Sequence, residues 1–314
     1  MVPESVLGVL SGYASISAVI AVGYLIRRVD FLDAGSESTL NRVTVFVATP
    51  ALYFAVLART DISLLVSPYA LATLVALLVT ACLAVVALTL GRRKPGARAA
   101  TLLVGASINP NSGNIGIPIG VAVLGSATFL SPVILLQVVL ITPAILLLVT
   151  LRQRNASVRR TLIAAAFNPL VLAAVAGAAV SAFSWSLPPA LLAPIDLLGD
   201  ASIPLMLLAF GMSLRGARPW AQLHGETWII LVPTIMKTLV LPLTAFVVGL
   251  ALGVSGTELL ALVIVGALPV AQNLYALAHT YKAAPDAVRS IVILSTILSL
   301  PVLVVFTLAL GPTR

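Results

Sequence analysis

Residues Gly105 to Ile119 read G-A-S-I-N-P-N-S-G-N-I-G-I-P-I, an interruption inside an otherwise apolar run from Ala99 to Leu124. Between Asn109 and Gly116 lie three asparagines, one serine, two glycines and a proline. A run of this length would cross a hydrocarbon core as a helix. Proline removes a backbone donor and clashes with the preceding turn, so the stretch predicts a local unwinding around Asn109 to Gly113. Irregular backbone at such depth survives only inside protein or beside water. A second interruption, A-L-P-V-A-Q-N from Ala267 to Asn273, repeats the pattern in a later apolar run.

The rest of the chain is built of similar apolar runs. Sixty per cent of its 314 residues are hydrophobic and 9% are charged, which leaves no room for a folded soluble domain. Ten spans are expected, near Val6 to Ile26, Leu40 to Ala58, Pro68 to Leu90, Ala99 to Leu124, Leu130 to Leu151, Leu162 to Phe183, Leu191 to Leu214, Thr227 to Ala251, Glu258 to Tyr281 and Ala287 to Leu310. All should be helices, because backbone polar groups cannot stay unpaired in lipid. The first run has no basic segment before it and ends at Arg27 and Arg28, so it is expected to be a retained span and not a cleaved signal.

The net charge of +8 is explained by topology. Fifteen of the eighteen basic residues fall in the odd-numbered loops: Arg27, Arg28, Arg42, Arg92, Arg93, Lys94, Arg98, Arg152, Arg154, Arg159, Arg160, Arg215, Arg218, Lys282 and Arg289. Arg59 and Arg314 lie on the other side, and Lys237 sits within a span. The positive-inside rule then puts the odd loops in the cytoplasm and both termini outside. Binding to nucleic acid or to anionic lipid is the weaker reading of this charge, and nucleic acid is not an expected partner, since these loops are short and carry no interleaved aromatic residues.

Landmarks recur at offsets of about 154 to 159 residues, a repeat of the kind sought first in any chain. Pro50 matches Pro204, Pro110 matches Pro269, Asn114 matches Asn273 and Pro143 matches Pro301. Five spans per unit is an odd number, so the second copy enters the membrane from the opposite side. Residues 1–151 and 161–314 are thus read as inverted repeats joined by a cytoplasmic linker, 152–160. Paired helix interruptions in inverted halves point to a transport site near the midplane.

A broken helix presents free amides and about half a positive charge at its N-terminal end, which suits an anion. Candidate binding residues are Asn109, Pro110, Asn111, Ser112, Asn114, Pro269, Gln272 and Asn273; the alternative is that these polar side chains only join helices. Lys237, in V-P-T-I-M-K-T-L-V-L-P, reads as a counterion, as a charge that titrates during transport, or as a lysine snorkelling to the surface. The acidic residues all fall in loops or near span ends, which disfavours a cation antiporter built on mid-membrane carboxylates. Asp200 is expected to cap the outer end of span seven, and His279 to lie near the inner end of span nine. Cys82 is expected to pack inside, with no disulfide or metal site. Without a nucleophile and base, a carboxylate pair or a ligand cluster, no enzyme, cofactor or metal is expected. A channel remains a rival, since broken helices also build pores.

On these residues the chain resembles the auxin efflux carrier family, which includes plant auxin exporters and bacterial organic-anion carriers. Span four is similar to that family's L-P-N-T-L-V-M-G-I-P-L pattern through Pro110, Asn111, Ser112, Gly116, Ile117 and Pro118. Span nine and its sequel resemble the second crossover through Leu268, Pro269, Tyr281, Pro285, Asp286, Leu300 and Pro301, and Asn41 to Pro50 is similar to the family's second helix. The resemblance implies an all-α membrane protein of ten transmembrane helices, two inverted five-helix repeats with broken crossover helices, in the manner of bile-acid symporters and sodium/proton antiporters. It implies a scaffold of spans one, two, six and seven that forms a homodimer, and an elevator-type transport unit of spans three to five and eight to ten. It also implies a substrate carboxylate at Pro110 with Asn111 and at Pro269 with Gln272 and Asn273; direction and coupling ion, proton or sodium, stay open. Two departures stand out: the long cytoplasmic loop of many plant members is absent, and span three lacks their acidic and basic pair. Malate, malonate and an indole acid all fit, and a sodium-coupled bile-acid-type symporter is the runner-up. The Ala- and Val-rich composition suggests a bacterial inner membrane.

Overall fold

The computed structural model describes residues 4–33, 35–91, 94–152, 157–215 and 223–310; Arg92, Arg93, Arg154, Arg218 and Arg314 lie outside them. Among the described residues the structure is helical and contains no strand. The helices are α1 (Glu4–Arg28), α2 (Ser36–Ala58), α3 (Pro68–Leu90), α4 (Ala97–Ile108), α5 (Ser112–Leu124), α6 (Thr128–Thr150), α7 (Val158–Ala166), α8 (Pro169–Ala182), α9 (Pro189–Ser213), α10 (Thr227–Ala251), α11 (Gly256–Ala267), α12 (Asn273–Thr280) and α13 (Pro285–Leu310). Six of them, α2, α3, α6, α9, α10 and α13, are long and apolar enough to cross a membrane, and α4, α5, α8 and α11 are shorter apolar helices. Their outward faces carry large apolar side chains such as Leu78, Val247 and Val305. This is a multi-pass membrane protein.

Proline shapes these helices in a way the sequence anticipates only in part. Four of the five π-helical turns among the described residues, Thr44–Ala48, Ser112–Gly116, Gln137–Ile141 and Met236–Val240, each end two residues before a proline: Pro50, Pro118, Pro143 and Pro242; the fifth, Gly120–Leu124, runs into Gly125. The ring clashes with the carbonyl four residues back and offers no N–H to it, and widening the turn relieves both problems without ending the helix. Two of the wider turns carry Gln137 and Lys237.

Predicted span six departs from expectation. Leu162 to Phe183 is not one helix: α7 ends at Ala166 and α8 restarts at Pro169. Asn168 caps the restart, its Oδ1 accepting from Leu170 N at 2.9 Å, and proline is pre-organised for the first helical position. Two smaller expectations also fail. Cys82 is exposed on the outer face of α3 and not packed inside. Asp200 is exposed and makes no capping bond, because α9 continues through Ala201 without a side-chain cap.

Helices α1 and α9 approach until backbone meets backbone. A Cβ on Gly23 would lie 2.2 Å from Leu208 O, and one on Gly211 would lie 2.0 Å from Ile20 O. Gly177 of α8 also sits close to α2, where a Cβ would lie 2.6 Å from Phe54 O. Small residues permit this approach where no hydrophobic force drives helices together. Loop charges also group in space: Asp30 bonds both Arg27 and Arg215, and Arg289 donates to Ser213 O at 2.6 Å. Arg59, a helix length away at the far end of α2, pairs with Asp196 through two bonds of 2.8 and 2.7 Å.

Candidate functional site

Pro110 and Pro269 stop two helices at the same place. Helix α4 ends at Ile108, and α5 starts at Ser112 after three non-helical residues, so the break is shorter than the predicted Asn109 to Gly113. Helix α11 ends at Ala267, and Leu268 is extended at φ −56 and ψ 150 before α12 begins at Asn273. The two gaps lie side by side and antiparallel. Asn111 N donates to Pro269 O, and Ala271 N donates to Asn109 O, both at 2.8 Å. Val270 N donates to Ser295 Oγ at 3.1 Å. Each break thus satisfies the backbone groups that the other exposes, as burial away from water demands.

Gln137 ties the first break down. Its Nε2 donates to Asn109 Oδ1 at 2.6 Å and to Pro110 O at 2.5 Å, and its Oε1 accepts from Ser112 Oγ at 2.6 Å. Asn109, Ser112 and Gln137 are all buried. Sequence reasoning missed Gln137; the available signal was a lone amide in the apolar run L-L-Q-V-V.

A cavity of about 80 Å³ opens beside the paired gaps. That is several times the roughly 10–15 Å³ one water needs. Of the predicted residues, Pro110, Asn111, Ser112, Asn114, Gln272 and Asn273 line it, whereas Asn109 and Pro269 do not and serve the crossing itself. Thr49, Tyr53, Thr142 and Asn168 complete the polar part of the wall and were not singled out from sequence. Asn168 had a legible signal, the N-P pair that starts a helix. Tyr53 reaches from α2 to Gly113 of α5, where a Cβ would sit 2.9 Å from its hydroxyl. Among the described residues, no acidic or basic side chain lines the cavity.

Three buried polar atoms on this wall have no partner among the described residues: Asn111 Nδ2, Asn114 Oδ1 and Gln272 Nε2. The orientation of Asn111 follows from its other end, because Oδ1 accepts from Asn114 N at 3.3 Å and leaves the amide nitrogen free. Unpaired buried donors cost about 1–3 kcal/mol each. Helices α5 and α12 begin at the same wall and turn the partially positive ends of their dipoles toward it. The arrangement therefore offers donors and positive potential, one set from each half of the chain, to a solute with negative oxygens.

Lys237 does not line the cavity. It is fully buried, and its Nζ donates to Gly266 O at 2.6 Å. Gly266 belongs to the last turn of α11, where carbonyls lose their helical partners at the break. The Lys237 amine thus sits at the carbonyl end of the broken helix, the end that favours a cation. Its side chain is enclosed and does not reach the surface. Of the other titratable candidate, His279 is exposed and packs beside Tyr275, with ring centroids 6.3 Å apart.

The sequence profile of the family described as "Membrane transport protein" matches the chain twice, over residues 9–161 and 155–307. The chain is 26% identical over 291 residues to an "Uncharacterized transporter" of Methanothermobacter thermautotrophicus, covering 91% of this chain and 93% of that protein. It is also 26% identical over 289 residues to a "Putative malonate transporter" of Rhizobium meliloti, covering 90% of this chain and 89% of that protein. These likenesses mark a transporter and not an enzyme. With both halves matched, the chain belongs to the membrane transport protein family, the family of the auxin efflux carriers.

Proposed function

We propose that this protein is a secondary transporter that moves a small organic anion across the plasma membrane. The observation that carries the reading is a pair of buried amide nitrogens, Asn111 Nδ2 and Gln272 Nε2, that have no partner among the described residues and stand on one cavity wall where those residues place no carboxylate. A carboxylate has two oxygens that both need donors, and charged hydrogen bonds are about twice as strong as neutral ones. Asn111, Asn114, Gln272 and Asn273 face the solute; Asn109, Pro110, Ser112 and Pro269 hold the crossing. Lys237, in its protonated form, places positive charge at the end of α11. The name of the Rhizobium relative makes malonate the first solute to test, beside malate and an auxin-like indole acid.

In the same reading the chain has ten spans in two inverted repeats, 1–151 and 161–314, with 152–160 between them. The double match of the family profile supports this. Helices α1, α2, α8 and α9 form a scaffold and homodimer contact, and the remaining spans carry the crossover as an elevator. The close glycine packing of α1 on α9 and of α8 on α2 supports the scaffold. Both termini face outward, on the side away from most basic loops.

The test is counterflow. Proteoliposomes loaded with unlabelled malonate, malate or indole acetate should transiently accumulate the labelled anion above equilibrium. A channel gives no such overshoot. Flux that needs sodium would favour the bile-acid-type symporter, and flux driven by a pH gradient would name the proton. No counterflow and no saturable binding for any carboxylate in the panel would refute the proposal.

A further inference from the structure

Away from the crossover, α3, α4 and the second half of α6 enclose a cavity of about 610 Å³. Its walls are aliphatic, with Leu74 and Val85 from α3, Ile108 from α4 and Leu148 from α6. Val85 and Leu148 are 47% and 45% exposed, so the groove opens outward from the helix bundle. From Leu74 to Leu88 it follows α3 for about 21 Å at ~1.5 Å per residue, more than the depth of one leaflet at about 15 Å.

Charge stands at one mouth only. Lys94, in the turn between α3 and α4, and Arg152, directly after α6, both line the groove. Neither has an ion pair among the described residues. Both lie in basic loops that share one side of the membrane. A small soluble anion would use the cations and leave the long apolar channel empty. A neutral lipid would use the channel and leave the cations idle. A second copy of the chain would bring Lys94 and Arg152 against an apolar wall or against their own like charges. An amphiphile with an anionic head and a hydrocarbon tail uses both features, and basic pockets at the cytoplasmic ends of membrane helices take such head groups.

We infer that this groove is a binding site for an anionic phospholipid, with one acyl chain along α3 and the phosphate between Lys94 and Arg152. The full chain is reconstituted in nanodiscs of equal parts phosphatidylglycerol and phosphatidylcholine, released into mild detergent and weighed by native mass spectrometry. The wild type should retain phosphatidylglycerol in preference to phosphatidylcholine. Lys94→Gln with Arg152→Gln should weaken that retention about thirtyfold, from about fivefold per basic residue. Ala144→Phe, which fills the groove, should lower retention of both lipids. Undiminished phosphatidylglycerol on the double variant, or equal retention of both lipids by the wild type, would overturn the inference. So would full retention on Ala144→Phe, which would mean that a head group is held without a tail. A dimer lost in Ala144→Phe with lipid retained would instead assign the groove to a second copy. The charge variants sit at exposed positions, so they decide the matter even where the filled groove fails to fold.

Discussion

Replacing Lys237 by methionine should separate stability from anion binding. The amine is fully buried and donates to one carbonyl, Gly266 O, at 2.6 Å; protonated, it would be the one charge among the described residues beside the break. Methionine keeps most of the volume and removes the charge. Lifting a lysine charge from mid-membrane relieves about 2.5–3.5 kcal/mol, while leaving the Gly266 carbonyl unpaired costs about 1–3 kcal/mol. The two nearly cancel, so the melting temperature in detergent should move by only a few degrees. Binding should respond differently. Gly266 precedes Gln272 by six residues, so the charge lies within about 20 Å of the cavity wall by the reach of the chain. At an effective dielectric of ~20, a unit charge at about 10 to 20 Å contributes roughly 0.8–1.7 kcal/mol to an anion, or about four- to seventeenfold in affinity. The assay is half-saturation of labelled malonate uptake in proteoliposomes, with uncharged malonamide as competitor. Lys237→Met should raise the half-saturation for malonate and leave the weak competition by malonamide unchanged, and Lys237→Arg should restore most of the loss. A folded Lys237→Met with wild-type half-saturation, or equal losses for malonate and malonamide, would refute the electrostatic role.

Other residues give equally definite expectations. Asn111→Ala and Gln272→Ala each remove a donor to a charged group, about 1.5–3 kcal/mol, so each should weaken malonate binding roughly tenfold to a hundredfold with little change in thermal unfolding. Gln137→Leu strips partners from Asn109, Pro110 and Ser112 together; it should cost at least about 2 kcal/mol of stability and abolish counterflow. Gly211→Val places side-chain atoms against Ile20 O, a backbone atom that cannot yield, and thermal unfolding should report a loss of about 1–3 kcal/mol. Asp30 is held below the usual carboxylate range by its hydrogen bond from Arg215 and then by the charges of Arg215 and Arg27. A depressed carboxylate stabilises above its unfolded value and loses that contribution as pH falls through its folded value. The melting difference between wild type and Asp30→Asn should therefore be present at neutral pH and shrink below about pH 4.

A carrier built on neutral donors has a physical rationale. A buried arginine facing the cavity would hold an anion strongly and would have to be desolvated again whenever the site emptied. Amide nitrogens and helix ends carry partial charges, so an empty site costs less and release stays feasible. In the proposed cycle Lys237 supplements these partial charges without contacting the solute, because its partner is a peptide carbonyl.

Some of this was written in the order of residues and some was not. Long apolar runs can hide their backbone polar groups only as helices, so the membrane class, the helical content and the two interruptions at Pro110 and Pro269 follow from the chain alone. Pairing of Asn111 with Pro269 and of Ala271 with Asn109 joins residues about 160 positions apart, which no local pattern can specify. The same holds for Gln137, whose three bonds exist only because α6 packs beside the break. The restart at Asn168 and Pro169 was legible as a capping pattern, yet the apolar run around it reads as one continuous span. Lys237 shows the division most clearly. Its position within a span marks it as unusual, since charge in lipid is costly wherever the helix lies. Whether that charge meets a solute, the surface or a peptide carbonyl depends on which neighbour reaches it first, and only the packing of α10 against the broken end of α11 decides that.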